Sequence, residues 1–562
     1  MNRKTTHSGS LSRLRPVVQG FFLIFFLYVF SKISFPLTDH LTKNFFFNLD
    51  PLIVLAAALT GTFAVTALLV SIVTVIVTAL AGRVFCGWVC PMGTLFDLFA
   101  QVIPARKQKR PYGRGKYKNI KYYLLAFLLV GSAVGFSALL FFDPLVFIMR
   151  VFALNVFPFA VLTANFVLNV FRPLALKMGM MNLYMFSIEQ PVFNSMAAVS
   201  LIIFAAVVGL IYLERRFWCR NLCPLGALLS LLSRYSIRGR HVSDACINCS
   251  KCARTCPMNA IGDDFREPSF RECIQCMRCE EVCPVNAISF PTAAPDTQRF
   301  EFNPSRRGVI FSAAGGLLAG LTAGSASAVK TTRDKRLRPP GSIVEKDFLD
   351  ACLRCGECMK ACPTKGLQPA WLEAGIEGMF TPILTPRVGG CEERCNICGQ
   401  VCPTGAIRRL PLEEKQYAVI GNAVIERTRC IAWEQLKVCL ICDEVCPYDA
   451  IEFKMVTDEK GTLQRPFVIE DKCVGCGQCE NGCPVNGPGA IHVTPINEVR
   501  KNSGSYITEK VKKLREVNDE GVEFYKEYDV QDTGGREQEQ RQAMPWEKPG
   551  GSDDDLPPGF VE

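Results

Sequence analysis

Histidine is almost absent from this chain. Only His7, His40, His241 and His492 occur, and none lies inside an apolar run. A membrane haem b held by two histidines therefore has no ligands, and without a Cys-x-x-Cys-His there is no attachment point for haem c. Neither a Gly-x-Gly-x-x-Gly nor a Walker sequence is present, so no nucleotide or flavin site is visible. Beyond residue 328 there is no further long apolar run. The net charge of +10 invites a nucleic-acid reading, but much of it sits in loops beside apolar spans. Basic residues there mark the cytoplasmic side of a membrane, and no nucleic-acid partner is expected.

Cysteine is what the chain has in excess. Its 28 cysteines are too many for catalytic thiols and too clustered for a disulfide scaffold. Two runs, Cys246-x2-Cys249-x2-Cys252-x3-Cys256-Pro257 and Cys273-x2-Cys276-x2-Cys279-x3-Cys283-Pro284, have ferredoxin spacing. Three close thiolates wrap one face of an iron–sulfur cube, and the fourth reaches the partner cube. The expected ligand sets are Cys246, Cys249, Cys252 with Cys283, and Cys273, Cys276, Cys279 with Cys256. Zinc sites use two separated knuckles instead.

Four more quartets follow. Cys352, Cys355, Cys358, Cys362 and Cys473, Cys476, Cys479, Cys483 keep the standard spacing. Cys391, Cys395, Cys398, Cys402 and Cys430, Cys439, Cys442, Cys446 do not, although each still ends in Cys-Pro. Six [4Fe–4S] clusters, with iron held through these cysteines, are the expected cofactors. Because the irregular quartets are the inner two, the expected pairing is nested, first with fourth and second with third; sequential pairing remains open. Six clusters serve to carry single electrons over distance.

The first 240 residues are organised differently. Arg3, Lys4, Arg13 and Arg15 precede the first acid, which favours a cytoplasmic start. Apolar spans are expected at 17–36, 52–81, 122–142 and 192–213, with 145–171 lying as helices at the outer face. Arg83 to Lys121 hold nine basic residues against Asp97 alone, a positive-inside signal repeated at Arg215, Arg216 and Arg220. The region is also a repeat. Asp50-Pro51-Leu52 leads to Arg83-x2-Cys86-x3-Cys90-Pro91-x-Gly93, and Asp143-Pro144-Leu145 leads to Arg216-x2-Cys219-x3-Cys223-Pro224-x-Gly226. Such units pack around a pseudo-twofold axis, which draws Cys86, Cys90, Cys219 and Cys223 together. These four, with Asp50 and Asp143, are the candidate catalytic residues. Helix-bend packing is the plainer role for the cysteines, and helix capping for the aspartates.

Between the halves, Ser305-Arg306-Arg307-Gly308-Val309-Ile310-Phe311 and a Gly/Ala-rich run ending in Ala326-Ser327-Ala328 look like a twin-arginine export signal. Lys330, Arg333, Lys335, Arg336 and Arg338 follow, so an ordinary fifth span is not expected. The expected fold is an α-helical membrane domain with four spans and an internal two-fold repeat, plus α+β bacterial 2[4Fe–4S] ferredoxin-like modules. Its boundaries are 1–240, a two-cluster ferredoxin at 241–292, signal and linker at 293–340, a four-cluster module at 341–500 and a polar tail at 501–562.

Residues 1–290 resemble NapH, the four-span quinol-dehydrogenase ferredoxin of periplasmic nitrate reductase systems, and its methylamine-utilisation relative MauN. Residues 300–495 resemble the partner family NapG and MauM, exported four-cluster ferredoxins with a twin-arginine leader. The resemblance implies a bacterial inner-membrane protein taking electrons from quinol to a periplasmic terminal reductase or cytochrome. It places residues 241–304 in the cytoplasm and 341–562 in the periplasm. No terminal substrate site of its own is visible. Two alternatives stay open: a cytoplasmic membrane-anchored polyferredoxin linking soluble donors to quinone, and a metal-reductase or assembly factor using the membrane cysteines.

Overall fold

The computed structural model describes residues 9–37, 44–59, 65–103, 119–134, 141–182, 191–261, 265, 272–291, 304–326, 336–375, 377–458 and 461–507. The tail from 508, the basic stretch 104–118, most of the linker and the residues after Ala326 expected as a cleavage site lie outside them. The first part is all helix: α1 (Gly9–Lys32), α2 (Phe45–Asn48), α3 (Pro51–Leu59), α4 (Val65–Ala81), α5 (Pro91–Val102), α6 (Ile120–Ala133), α7 (Pro144–Val151), α8 (Phe157–Lys177), α9 (Ser195–Gly209), α10 (Phe217–Asn221) and α11 (Pro224–Leu232).

Among the described residues, two stretches are long and apolar enough to cross a membrane by length and composition: Ser12–Lys32, mean hydropathy 1.7, and Pro144–Lys177, mean hydropathy 2.2. The second departs from the expectation of short outer-face helices. Asp143 caps α7 with Pro144 in its first turn, and a π turn at Phe152–Val156 carries the helical path into α8 around Pro158. Proline at a helix start loses no hydrogen bond, and a π turn makes room for its ring. Arg150, a charge within this apolar stretch, is buried with Nε donating at 2.8 Å to the Arg354 carbonyl. The expected crossings at 52–81, 122–142 and 192–213 form shorter apolar helices, Ala67–Ala81, Ile120–Ala133 and Met196–Tyr212.

This helical part is apolar outside and charged within. Phe21 and Ile24 on α1, Leu69 and Val73 on α4, Phe159 and Phe166 on α8, and Ile202 on α9 are exposed. Arg15, Arg83, Lys121, Arg216 and Arg220 are buried.

The two-cluster module (241–291) is a small α+β unit. Strand β1 (His241–Val242) pairs antiparallel with β2 (Ile288–Ser289) around α12 (Lys251–Thr255) and α13 (Arg278–Glu281). It sits at the start of α1, where α13 packs and Arg15 lies within electrostatic reach of Cys276 and Arg278. Then comes α14 (Arg306–Ala326). Although set apart in sequence as an export signal, it lies along α6 as part of the bundle. Ser305 N donates to Tyr123 Oη at 3.0 Å near the start of α6, and Gly320 meets Val134 just past its end, so the two helices run parallel. Glycine permits the approach: a Cβ on Gly316 would lie 2.2 Å from the Phe127 carbonyl oxygen.

Residues 336–507 form the larger α+β module. Two-stranded sheets β3 (Leu367–Pro369) with β4 (Pro382–Leu384), β5 (Asn422–Ile425) with β8 (Ile491–Thr494), and the hairpin β6 (Ile451–Asp458) with β7 (Gly461–Val468) frame short cysteine-bearing helices. This module meets the other end of α1. Lys360 Nζ donates to the carbonyls of Phe30 and Ile33, closing the helix C-terminus, and lies over the Phe30 and Phe157 rings. From Arg15 to Phe30 is roughly 22 Å of helix at 1.5 Å per residue. The two cysteine-rich modules thus contact opposite ends of one helix.

Candidate functional site

Sequence spacing and tertiary structure agree on the first module. Cys246, Cys249, Cys252 and Cys283 wall a cavity of about 330 Å3. Cys256, Cys273, Cys276 and Cys279 wall another of about 400 Å3. Arg240 lies between them and donates to Cys252 Sγ at 3.5 Å. Each wrap needs unusual backbone. Asn248 and Ser250 flank Cys249, and Gln275 and Met277 flank Cys276, all at positive φ; Arg354 and Gly356, then Gly475 and Gly477, repeat the device in the regular quartets of the second module. Left-handed residues turn three thiols inward at some cost in backbone strain, which points to a ligand that repays it. Amide groups complete the cradles: Ala260 N reaches Cys256 Sγ at 3.3 Å, Ala287 N reaches Cys283 at 3.3 Å, and Ala450 N reaches Cys446 at 3.4 Å. Cavities lined by four thiols, with N–H groups aimed at sulfur, fit a [4Fe–4S] cluster.

The second module corrects the nested pairing. Cys352, Cys355 and Cys358 gather with Cys402, and Cys391, Cys395 and Cys398 gather with Cys362. Cys430, Cys439, Cys442 and Cys483 wall a cavity of about 390 Å3, and Cys473, Cys476 and Cys479 gather with Cys446. Pairing is sequential: first with second, third with fourth. The physical reason is short-range packing. Helix Glu357–Ala361 lies against Ile397–Val401, and Thr404 Oγ1 donates to the Ala351 carbonyl at 2.8 Å. Cys391 N donates to the Cys476 carbonyl at 2.7 Å, so the two pairs abut. Burial pushes the Cys476 thiol up to about 12 and Cys395 to about 11. Loading the sites with metal therefore releases protons.

All four repeat cysteines converge as expected. Cys86, Cys90, Cys219 and Cys223 sit within electrostatic reach of one another, and burial raises the thiols of Cys90, Cys219 and Cys223. Cys86 and Cys219 also pack with Ile274, Cys276 and Cys256 of the first module. The repeats clasp each other. Arg216 Nη2 crosses to the Gly93 carbonyl at 2.9 Å, while a Cβ on Gly226 would lie 2.9 Å from Arg83 Nη2. Each Pro-x-Gly thus holds space for the other repeat's arginine.

Asp50 and Asp143 act as helix caps. Asp50 Oδ1 accepts from Leu52 N at 2.8 Å, and Asp143 Oδ1 from Leu145 N at 2.8 Å. The two carboxyls also meet each other in the buried centre, where Oδ2 of each has no donor.

The buried charge network was not recognised as such in the sequence, where Arg83 and Arg216 stood out as repeat members and the basic residues otherwise counted as a topology signal. Asp97 binds Arg15 at 2.6 Å and Arg216 at 2.9 Å. Burial opposes its ionisation, but Arg216 and Arg15 hold it well below the usual carboxylate range. Glu272, beside Cys273, binds Lys121 at 2.7 Å and Arg83 at 3.0 Å. The spacing of Arg83 and Arg216 three residues before a cysteine was the available signal.

Comparison with known proteins agrees with this chemistry. A 4Fe-4S binding domain model matches residues 63–111 and 196–243, the two repeat units. Models of 4Fe-4S dicluster domains match 238–286, and 272–366 with 437–486. The methylamine utilization ferredoxin-type protein MauM of Methylorubrum extorquens is 40% identical over 204 residues, 34% of this chain and 90% of that protein. MauM of Methylobacillus flagellatus is 41% identical over 168 residues, 28% of this chain and 68% of its own length. The ferredoxin-type protein NapG of Escherichia coli is 36% identical over 201 residues, 34% of this chain and 85% of that protein. No solved structure matches. The chain carries several [4Fe–4S] clusters and transfers electrons. Through its C-terminal part it belongs to the NapG and MauM family of ferredoxin-type proteins.

Proposed function

We propose that this chain is a membrane quinol dehydrogenase component, a NapH-like membrane ferredoxin fused to a NapG-like polyferredoxin. It holds six [4Fe–4S] clusters on the 24 cysteines grouped above and passes quinol electrons to a periplasmic terminal reductase. Each cluster, when bound, supplies a one-electron couple. The observation that carries this reading is the position of the two modules at opposite ends of α1, across a bundle whose outer faces are apolar. An exposed apolar belt around buried arginines suits lipid rather than water.

The first module then lies in the cytoplasm and residues from 336 onward in the periplasm. Arg306 begins α14 at the cytoplasmic end, where a twin-arginine signal starts. Two charges of the basic flank after α14, Arg336 and Arg338, are taken up within the second module. Arg338 is buried and bound to Glu345 at 2.6 Å, and Arg336 reaches the same carboxylate at 3.5 Å. These charges belong to the fold of the exported module. The cytoplasmic polyferredoxin alternative needs them free to hold the flank inside.

Fusions after residues 291 and 507, each carrying green fluorescent protein or alkaline phosphatase, test the topology. Fluorescence at the first junction and phosphatase activity at the second are expected. Both junctions on the same side would sink the reading. Purified protein should carry about 24 iron atoms, six cubes of four.

A further inference from the structure

A cavity of about 490 Å3 opens at the seam between the helical part and the second cysteine module. Its floor is apolar, formed by Ala153, Leu154, Phe157 and Ala197. Its far wall is polar, with Asn194, Lys365 and Gln368. Asn194 Nδ2 donates to Gln368 Oε1 at 3.3 Å, which ties the start of α9 to strand β3 across the seam. Met359 and Lys360 close the cavity on the module side. They lie between Cys358 and Cys362, which belong to two different cysteine groups.

The mouth leads to the apolar exterior. One turn beyond Pro158 on α8 stands Leu162, and one turn beyond Ala197 on α9 stands Leu201; both are exposed. The helix faces that line the cavity therefore continue as the bundle's outer surface. A ligand that fits is a flat ring with oxygens at one end and a long hydrocarbon tail. Pockets lined mostly by apolar side chains with a few placed polar groups are the kind that small organic molecules enter. We propose that this cavity binds the quinol headgroup, with its isoprenoid tail leaving between α8 and α9 along Leu162 and Leu201. The proposal rests on the quinol reading above and adds the place: the periplasmic seam, not the four repeat cysteines at the other end of the bundle. Lys365 and Asn194 stand where a ring oxygen needs a donor.

Photolabelling of the full purified chain with a short-chain azidoquinone tests this, using peptide mass spectrometry. Label is expected within 153–158, 191–197 or 359–369. Ala197→Trp, which fills the floor, should cut labelling at least about fivefold, near 1 kcal/mol of binding. Lys365→Ala, at a half-exposed position, should weaken it by about threefold or more, and it keeps the test alive where the tryptophan variant does not fold. Label confined to other peptides, or full labelling in a folded Ala197→Trp protein, overturns the site. Competition by phospholipid as strong as by unlabelled quinone would make it a lipid site and also overturns it. No labelling anywhere in the wild-type chain would instead remove the quinol reading itself.

Discussion

Glu345 gathers three arginines at the entrance to the second module. Arg338 and Arg500 bind its carboxylate, with Arg336 close by. Burial works to raise this carboxyl, yet Arg338 and Arg500 hold it at about 2, below its ordinary 4.5. A depressed carboxyl stabilises the folded state fully above its unfolded value and loses that contribution as pH falls towards the folded one. The module should therefore lose the Glu345 contribution to its melting temperature as pH falls from 4.5 to 2, with none of that loss above 4.5. Glu345→Gln should cost about 2 kcal/mol at neutral pH and flatten part of that acid limb. An unchanged acid limb in the variant would show that other carboxylates control it.

At the scale of elements, α14 against α6 is the most instructive contact. Adjacent glycines on α14 have opposite circumstances. A Cβ on Gly316 would lie 2.2 Å from the Phe127 carbonyl oxygen and 3.1 Å from Gly131 N, both backbone atoms. One on Gly315 would meet only the Phe127 ring at 3.5 Å. Gly316→Leu should force the helices apart at about 1–3 kcal/mol, whereas Gly315→Ala should be close to neutral. Melting of the detergent-solubilised protein separates them; equal losses would mean that α14 is not seated on α6. If the chain is the membrane protein proposed above, the same variant should also loosen the second module from the membrane. In sequence this segment read as a weak apolar signal, because hydropathy counts residues but not which face meets a neighbour.

Across the whole molecule, the cysteine groups form a path. Leu353 and Cys355 join the hydrophobic core of the helical part, so the Cys352 group is the one that packs against it. The Cys391 group comes next, its amide touching Cys476, and the Cys430 group lies at the far end beside exposed Val438 and Leu440. Sequential pairing can be tested directly. Cys402→Ala should expose Cys352, Cys355 and Cys358 to alkylation while leaving Cys391, Cys395 and Cys398 protected, with a loss of about four iron atoms. Protection of the first three would return the nested arrangement.

Much of this was legible in residue order. Ligand sets in the regular quartets follow from spacing, since two residues between thiols leave few ways to wrap a small object. The internal repeat announced the meeting of Cys86, Cys90, Cys219 and Cys223. Asp50 and Asp143 capped the helices that Asp-Pro predicts, but their contact with each other needed the fold. Arg83, Lys121 and Arg216 read as loop charges because sequence shows sign and not burial; their acids, Glu272 and Asp97, come from distant segments.

The sequence by itself determined the local cysteine wraps of the regular quartets and the duplicated Arg-x2-Cys-x3-Cys-Pro unit, because the wraps depend on neighbouring residues and the repeat is read directly from residue order. Only the tertiary structure decided which quartets share a pair, that α14 belongs to the bundle, and that the two modules stand at opposite ends of α1. Those choices depend on which distant surfaces bury each other, and side-chain packing of that kind leaves no mark in residue spacing.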